Sequence, residues 1–168
     1  MRVLISAVMA MSFATQAVAL SCMPADVASS YKDAAKAEES FVIAVGRFDF
    51  DTEKLPKRPI DNNNPPSTET ASTFIGSLFT GRDFGFETEL DVTVEVRCSG
   101  PWCGWMPPDE KVLAFIEERD DGYHLSVAPC PGRVYANPTD EELDQVVSCH
   151  QGGDCTSRRD RFLQPSGD

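Results

Sequence analysis

Residues 97–108 read RCSGPWCGWMPP, which sets two cysteines, two tryptophans and three prolines in twelve positions. The stretch is either a reactive thiol centre or the pinned end of a β-strand, and its flanks decide between them. Upstream, in FETELDVTVEVRC (86–98), Leu90, Val92, Val94 and Val96 alternate with Glu89, Asp91, Thr93, Glu95 and Arg97. That period of two predicts a strand with one buried and one wet face. Downstream, Pro107-Pro108 forbids a helix directly afterwards. KVLAFIEER (111–119) then resumes the strand pattern. A reactive dithiol needs Cys-x-x-Cys at a helix N-terminus, where the helix dipole lowers a thiol pKa. Here Cys98 and Cys103 are five positions apart and follow a strand. The stretch reads as a loop that interrupts a sheet.

Working outward, SFVIAVGRFDF (40–50), ETASTFIGSLFT (69–80) and GYHLSVAP (122–129) carry further strand signals. Gly46 predicts a bulge or bend in the first of these, and Asp120-Asp121-Gly122 predicts a tight hairpin between 111–119 and 122–129. Residues 51–68, DTEKLPKRPIDNNNPPST, form a loop. ADVASSYKDAAKAE (25–38) predicts a short helix. A second begins at Thr139, whose T-x-x-E spacing to Glu142 is a capping box, and Leu143, Val146 and Val147 make its apolar stripe. Residues 150–168 show no periodicity and read as a tail. Five strands in meander-like order, with one helix before and one after, predict a small closed or partly open barrel.

The first nineteen residues have one positive charge, Arg2, an apolar stretch and the small-x-small sequence Ala17-Val18-Ala19, so they read as a signal peptide cleaved after Ala19. Cleavage after Ser21 is the alternative, and it would make Cys22 the first residue; acylation of Cys22 is disfavoured because Ala19 stands where a lipoprotein signal carries Leu. The expected domain therefore spans 20–149, and its location is secreted or periplasmic. Removing Arg2 leaves 14 basic residues against 27 acidic ones, a net charge of −13. Such a surface repels nucleic acid and anionic lipid. No other segment is long and apolar enough to span a bilayer. Cys22, Cys98, Cys103, Cys130, Cys149 and Cys155 are an even set in an exported chain and read as three disulfides, with fifteen pairings open.

An early cysteine, a strand FVIAVGRF reaching glycine, Cys103-Gly104, the hairpin EKVLAFIEERDDGYHLSVAPC and a final helix ending at Cys149 together resemble the netrin-like module. That module is the five-stranded OB-type barrel of the tissue inhibitors of metalloproteinases and of complement C-terminal domains. The resemblance covers 22–149 and rests on order and spacing. It implies an all-β, five-stranded OB-like barrel with flanking helices. It also implies that Cys22 pairs with Cys130 or Cys103, and the framework most consistent with it is Cys22–Cys130, Cys98–Cys103 and Cys149–Cys155. In the tissue inhibitors the N-terminal cysteine chelates the protease zinc. Carried to this chain, that would need Cys22 as residue one, whereas cleavage after Ala19 leaves Leu20-Ser21 in front of it.

No nucleophile elbow, HExxH, P-loop or dinucleotide fingerprint occurs, and no catalytic, metal or cofactor site is expected. His124 alternates with Tyr123, Leu125 and Val127 and is read as facing solvent or a second layer. His150 with Cys149 and Cys155 falls short of a four-ligand metal pattern. Asp49, Asp51 and Glu53 lack the calcium-loop register. The expectation is a monomeric, non-catalytic exported binding module, an unidentified protein its partner and an exported protease the specific case. The partner-binding edge is assigned to Cys22, Trp102, Trp105 and Met106, beside the 98–108 loop and the Cys130 turn. The alternatives are a periplasmic thiol protein using Cys98 and Cys103, and a lipid-anchored envelope protein.

Overall fold

The computed structural model describes residues 20–23, 25–56 and 65–163; the expected signal peptide and residues 57–64 of the proline-rich loop lie outside them. Strand β1 (Ser40–Phe50) organises the rest. Its β-branched and aromatic residues favour extended backbone, and it is long enough to serve two neighbours. Residues 44–50 pair antiparallel with β2 (Thr68–Leu78), and residues 40–46 pair antiparallel with residues 112–118. The two pairings overlap at Ala44, Val45 and Gly46, and Gly46 faces Gly76 across β1 and β2. A Cβ on Gly46 would lie 2.7 Å from the Phe74 ring, and one on Gly76 would lie 2.8 Å from it. The backbone is nearer still, with the Ile75 carbonyl oxygen 2.4 Å from a Gly46 Cβ and the Val45 carbonyl oxygen 2.4 Å from a Gly76 Cβ. Both positions must therefore be glycine for β1 and β2 to lie this close beside the fully buried Phe74.

Strand β3 (Phe86–Val96) pairs antiparallel with β2 along its full length. A two-residue ribbon follows, β4 (Cys98–Ser99) against β5 (Trp102–Cys103). Then come β6 (Val112–Arg119), β7 (Gly122–Val127) and the short β8 (Val134–Ala136). β6 and β7 form the expected hairpin, with Arg119 opposite Gly122. The expected meander does not continue, however. The neighbour of β3 is β7, in parallel, from Val92↔Tyr123 to Val96↔Val127. Parallel neighbours cannot be joined by a tight hairpin, so the 97–111 segment is a crossover that delivers the chain to β6. β6 pairs with β1 and closes the ring β1-β2-β3-β7-β6, and β8, not foreseen from its three residues, adds to β6 from outside. The result is a closed five-stranded OB-like barrel with one extra strand.

The alternation in β3 turns Val92, Val94 and Val96 inward, onto Phe48, Phe74, Ala114, Ile116, Leu125 and Val127. A second apolar cluster lies outside the barrel, where Ile43, Leu113 and Phe115 meet Val27 and Val146. Helices α1 (Val27–Lys36) and α2 (Asp140–His150) supply that cover, so β6 is buried on both faces from Val112 to Ile116. Both bonds of the Thr139–Glu142 capping box form, and Asp26 with Ser29 caps α1 in the same way. Caps of this kind contribute about 1 kcal/mol each.

The segment read as a tail without periodicity holds a third helix, α3 (Arg158–Leu163). It has no apolar stripe, and Phe162 and Leu163 are exposed. Charge attaches it to α1: Lys32 pairs with Asp160, Arg159 makes two bonds of 3.1 and 3.0 Å to Asp33, and the Arg158 amide donates to Asp26. No helix among the described residues is long and apolar enough to cross a membrane.

Candidate functional site

Six cysteines form three disulfides, Cys22–Cys130, Cys98–Cys103 and Cys149–Cys155, and no cysteine among the described residues is free. These are the three pairs of the expected framework, in which the resemblance bore on the partner of Cys22. Each fixes one irregular segment. Cys98–Cys103 closes the β4–β5 ribbon, with the two cysteines facing each other in register. Gly104 follows at once; its amide donates to the Arg97 carbonyl (2.8 Å) and the Arg97 amide donates to the Val127 carbonyl (2.9 Å). Cys22–Cys130 spans 108 positions and ties the segment before α1 to the turn after β7.

These two staples flank an open cavity of ≈740 Å³. Register explains where it falls. Phe41 on β1 is opposite Glu117 on β6, and Glu117 is opposite His124 on β7, so the three form one row across the outer face of the barrel. The helix cover reaches Phe115 in the preceding row and the cavity begins there, with Phe115, Phe41, Glu117 and His124 in its lining. Ser29, Ser30 and Asp33 of α1 form one wall, and Pro129 to Val134 another. Cys103 and Trp105 come from the crossover segment.

The charges in this cavity are mostly matched in pairs. Arg119 holds Glu117 through Nε–Oε1 (2.7 Å) and Nη2–Oε2 (2.8 Å). That bond keeps the Glu117 carboxyl below its ordinary pKa, against a smaller opposing effect of burial, and the charges of Arg119, His124 and Arg133 act in the same direction as the bond. Arg159 holds Asp33 in the same two-point manner. His124, expected to face solvent or a second layer, lines this outer cavity; it is 14 % exposed and its Nε2 lies 3.0 Å from Oδ1 of the exposed Asp121. Arg133 stacks on Phe41, its guanidinium carbon 4.2 Å from the ring centroid. Arg133 Nη1 is buried and has no hydrogen-bond partner among the described residues.

Of the edge read from sequence, Cys130 and Trp105 line the cavity and Cys22 is bonded at its rim, next to the exposed Met23. Trp105 is 51 % exposed. Trp102 is half-buried in β5 and lies outside the lining. Met106 is a correction. It is 1 % exposed and packs in the inner barrel core with Val96, Val127 and Cys103, so it offers nothing to a partner. Sequence reasoning missed Phe41, Glu117 and Arg133. Phe41 and Glu117 lie on strands whose outer faces the helices only partly cover, and Arg133 is a single basic residue in a turn.

His150 is not beside free thiols, because Cys149 and Cys155 bond to each other. Its Nδ1 lies 2.9 Å from Tyr31 Oη, and its ring meets Phe79 edge-on. No group of three or more His, Cys, Asp or Glu among the described residues is arranged to hold a metal ion. Neither a protein-family model, nor a curated protein, nor a solved structure matches this chain.

Proposed function

We propose that the chain is a non-catalytic exported binding module of the netrin-like type, which engages a protein partner at the cavity edge formed by the Cys22–Cys130 staple and Trp105. The observation that carries this reading is that one cysteine from each of two disulfides, Cys130 and Cys103, lines a single open cavity together with the half-exposed indole of Trp105. Disulfide fixation reduces the ordering entropy that binding costs, and a half-exposed tryptophan beside a pocket is the usual chemistry of an interface anchor. Export is supported by the three disulfides, which persist in oxidising compartments. The barrel topology is compatible with the netrin-like resemblance, although fold alone does not name a partner. An exported protease is the partner class to examine first. Zinc chelation by Cys22 requires signal cleavage after Ser21, whereas cleavage after Ala19 requires a protease to be engaged through the cavity edge alone.

A photo-reactive amino acid at position 105, compared with one at Glu87 on the exposed part of β3, tests the reading in cells exporting the protein. A polypeptide adduct specific to position 105 supports it. Equal labelling from both positions, or none from either, refutes it.

A further inference from the structure

One donor of a cation in the cavity lining, Arg133 Nη1, has no hydrogen-bond acceptor among the described residues. Its two lining carboxylates, Glu117 and Asp33, are each taken at two points by Arg119 and Arg159. Arg133 has no carboxylate within salt-bridge distance among the described residues, and its buried Nη1 has no acceptor. Nη1 is covered by the protein, so a cavity ligand meets the rest of the guanidinium, and a cation with no carboxylate at salt-bridge distance in a partly buried site favours an anionic ligand. The group is also held in position. Its backbone carbonyl accepts from the Phe115 amide (2.9 Å), and its guanidinium rests on Phe41.

We propose that this cavity binds the carboxylate of an organic acid with an apolar body, with Arg133 taking the carboxylate and Phe41, Phe115 and Trp105 bordering the apolar part. The planar fork of arginine fits a carboxylate at two points. The volume of ≈740 Å³ is in the range of small-molecule sites, and Phe41, Phe115 and Trp105 give the mixed polar and apolar lining an aromatic part. A single negative charge suits the site better than a phosphate, which would bring a second charge against Glu117 and Asp33. Two sources present this chemistry: a free small acid, and the C-terminus of a polypeptide ending in an apolar residue. The inference rests on the binding-module reading, and it adds the chemical group by which the partner is recognised.

Calorimetric titration of the disulfide-intact chain with 3-phenylpropionate, 3-phenylpropionamide, and acetyl-Gly-Gly-Phe as free acid and as amide tests it. Both acids bind, and each amide binds at least about tenfold more weakly, since it loses the charge-assisted bond. The Arg133→Met variant loses the acid–amide difference. Tighter binding of the peptide acid identifies a polypeptide C-terminus as the source, and tighter binding of phenylpropionate identifies a small acid. Failure of both acids to bind at millimolar concentration overturns the proposal, as does equal binding of acids and amides. The acid–amide comparison is made on the unaltered chain, so it decides the matter even if the variant does not fold. Position-105 adducts without acid binding would sink this inference alone. Acid binding without adducts would sink the protein-partner reading alone.

Discussion

Gly104 sits against the Val127 carbonyl so closely that a Cβ on Gly104 would lie 1.9 Å from that oxygen. The contact holds the crossover from β3 against the end of β7, the two strands whose parallel pairing closes the barrel. Gly104→Ala therefore forces the 97–104 segment and the end of β7 apart. The expected outcome is a loss of about 1–3 kcal/mol, as for overpacking a close contact, read as a lower urea midpoint. A midpoint equal to that of the parent chain would show that the crossover yields freely.

Removing the long staple weakens the fold through the unfolded state. Cys22→Ser with Cys130→Ser opens a loop of 108 positions. The chain-entropy argument predicts a loss of about 4–5 kcal/mol, measured by urea unfolding. A loss below about 1 kcal/mol would mean that the segment before α1 is restrained without the bond.

Tyr135 gives the fold an alkaline limit. Its hydroxyl lies 2.6 Å from Ser30 Oγ, and burial pushes its pKa from 10.0 to about 12, outweighing the opposing effect of the Ser30 hydrogen bond. Between those values the unfolded chain gives up the phenol proton while the folded chain keeps it, so stability falls as pH rises through that window. Tyr135→Phe reduces this fall, at a cost near neutral pH of about 1 kcal/mol for the lost hydrogen bond. Denaturation midpoints at pH 9 and pH 11 check it; an unchanged difference between the two would exclude Tyr135 as the titrating group.

The attachment of α3 is ionic. The Lys32 hydrogen bond to Asp160, followed by bonds from Ser157, holds the Asp160 carboxyl well below its ordinary 3.8. Its contribution is present above that ordinary value and is lost as pH falls toward the depressed one. Asp160→Asn should accelerate amide exchange in residues 158–163 at neutral pH and leave β1–β7 protected. Uniform protection in the variant would mean that the Asp33–Arg159 pair alone suffices.

The elements most legible in the sequence were those whose local chemistry and tertiary role agree. The Val92–Val94–Val96 alternation, the Asp120-Asp121-Gly122 turn and the Thr139–Glu142 cap each specify their structure locally. At Gly46, where a bulge or bend is expected, the strand ladder runs through without an inserted residue, and the glycine's place opposite Gly76 beside Phe74 is a fact of packing across strands. The meander expectation failed because β3 and β7 pair across a crossover, and nothing local in residues 97–111 records which strand is reached next. β8 is too short to show a period, and α3 is held by charges from α1 instead of an apolar stripe. In the site, Trp105 and the two staples were legible, whereas Met106 was misassigned because a methionine beside two tryptophans gives no local sign of which way it faces. Arg133 became visible only once Phe41, Glu117 and His124 had been brought to one face.

The central claim, an exported and stapled binder that does no thiol chemistry, is tested most directly by intact mass of the exported protein, alkylated with and without prior reduction. The account predicts a chain starting at Leu20 that takes up no alkyl groups in its native state and six after reduction. Two alkylatable thiols in the native protein would contradict it and return the redox reading to Cys98 and Cys103.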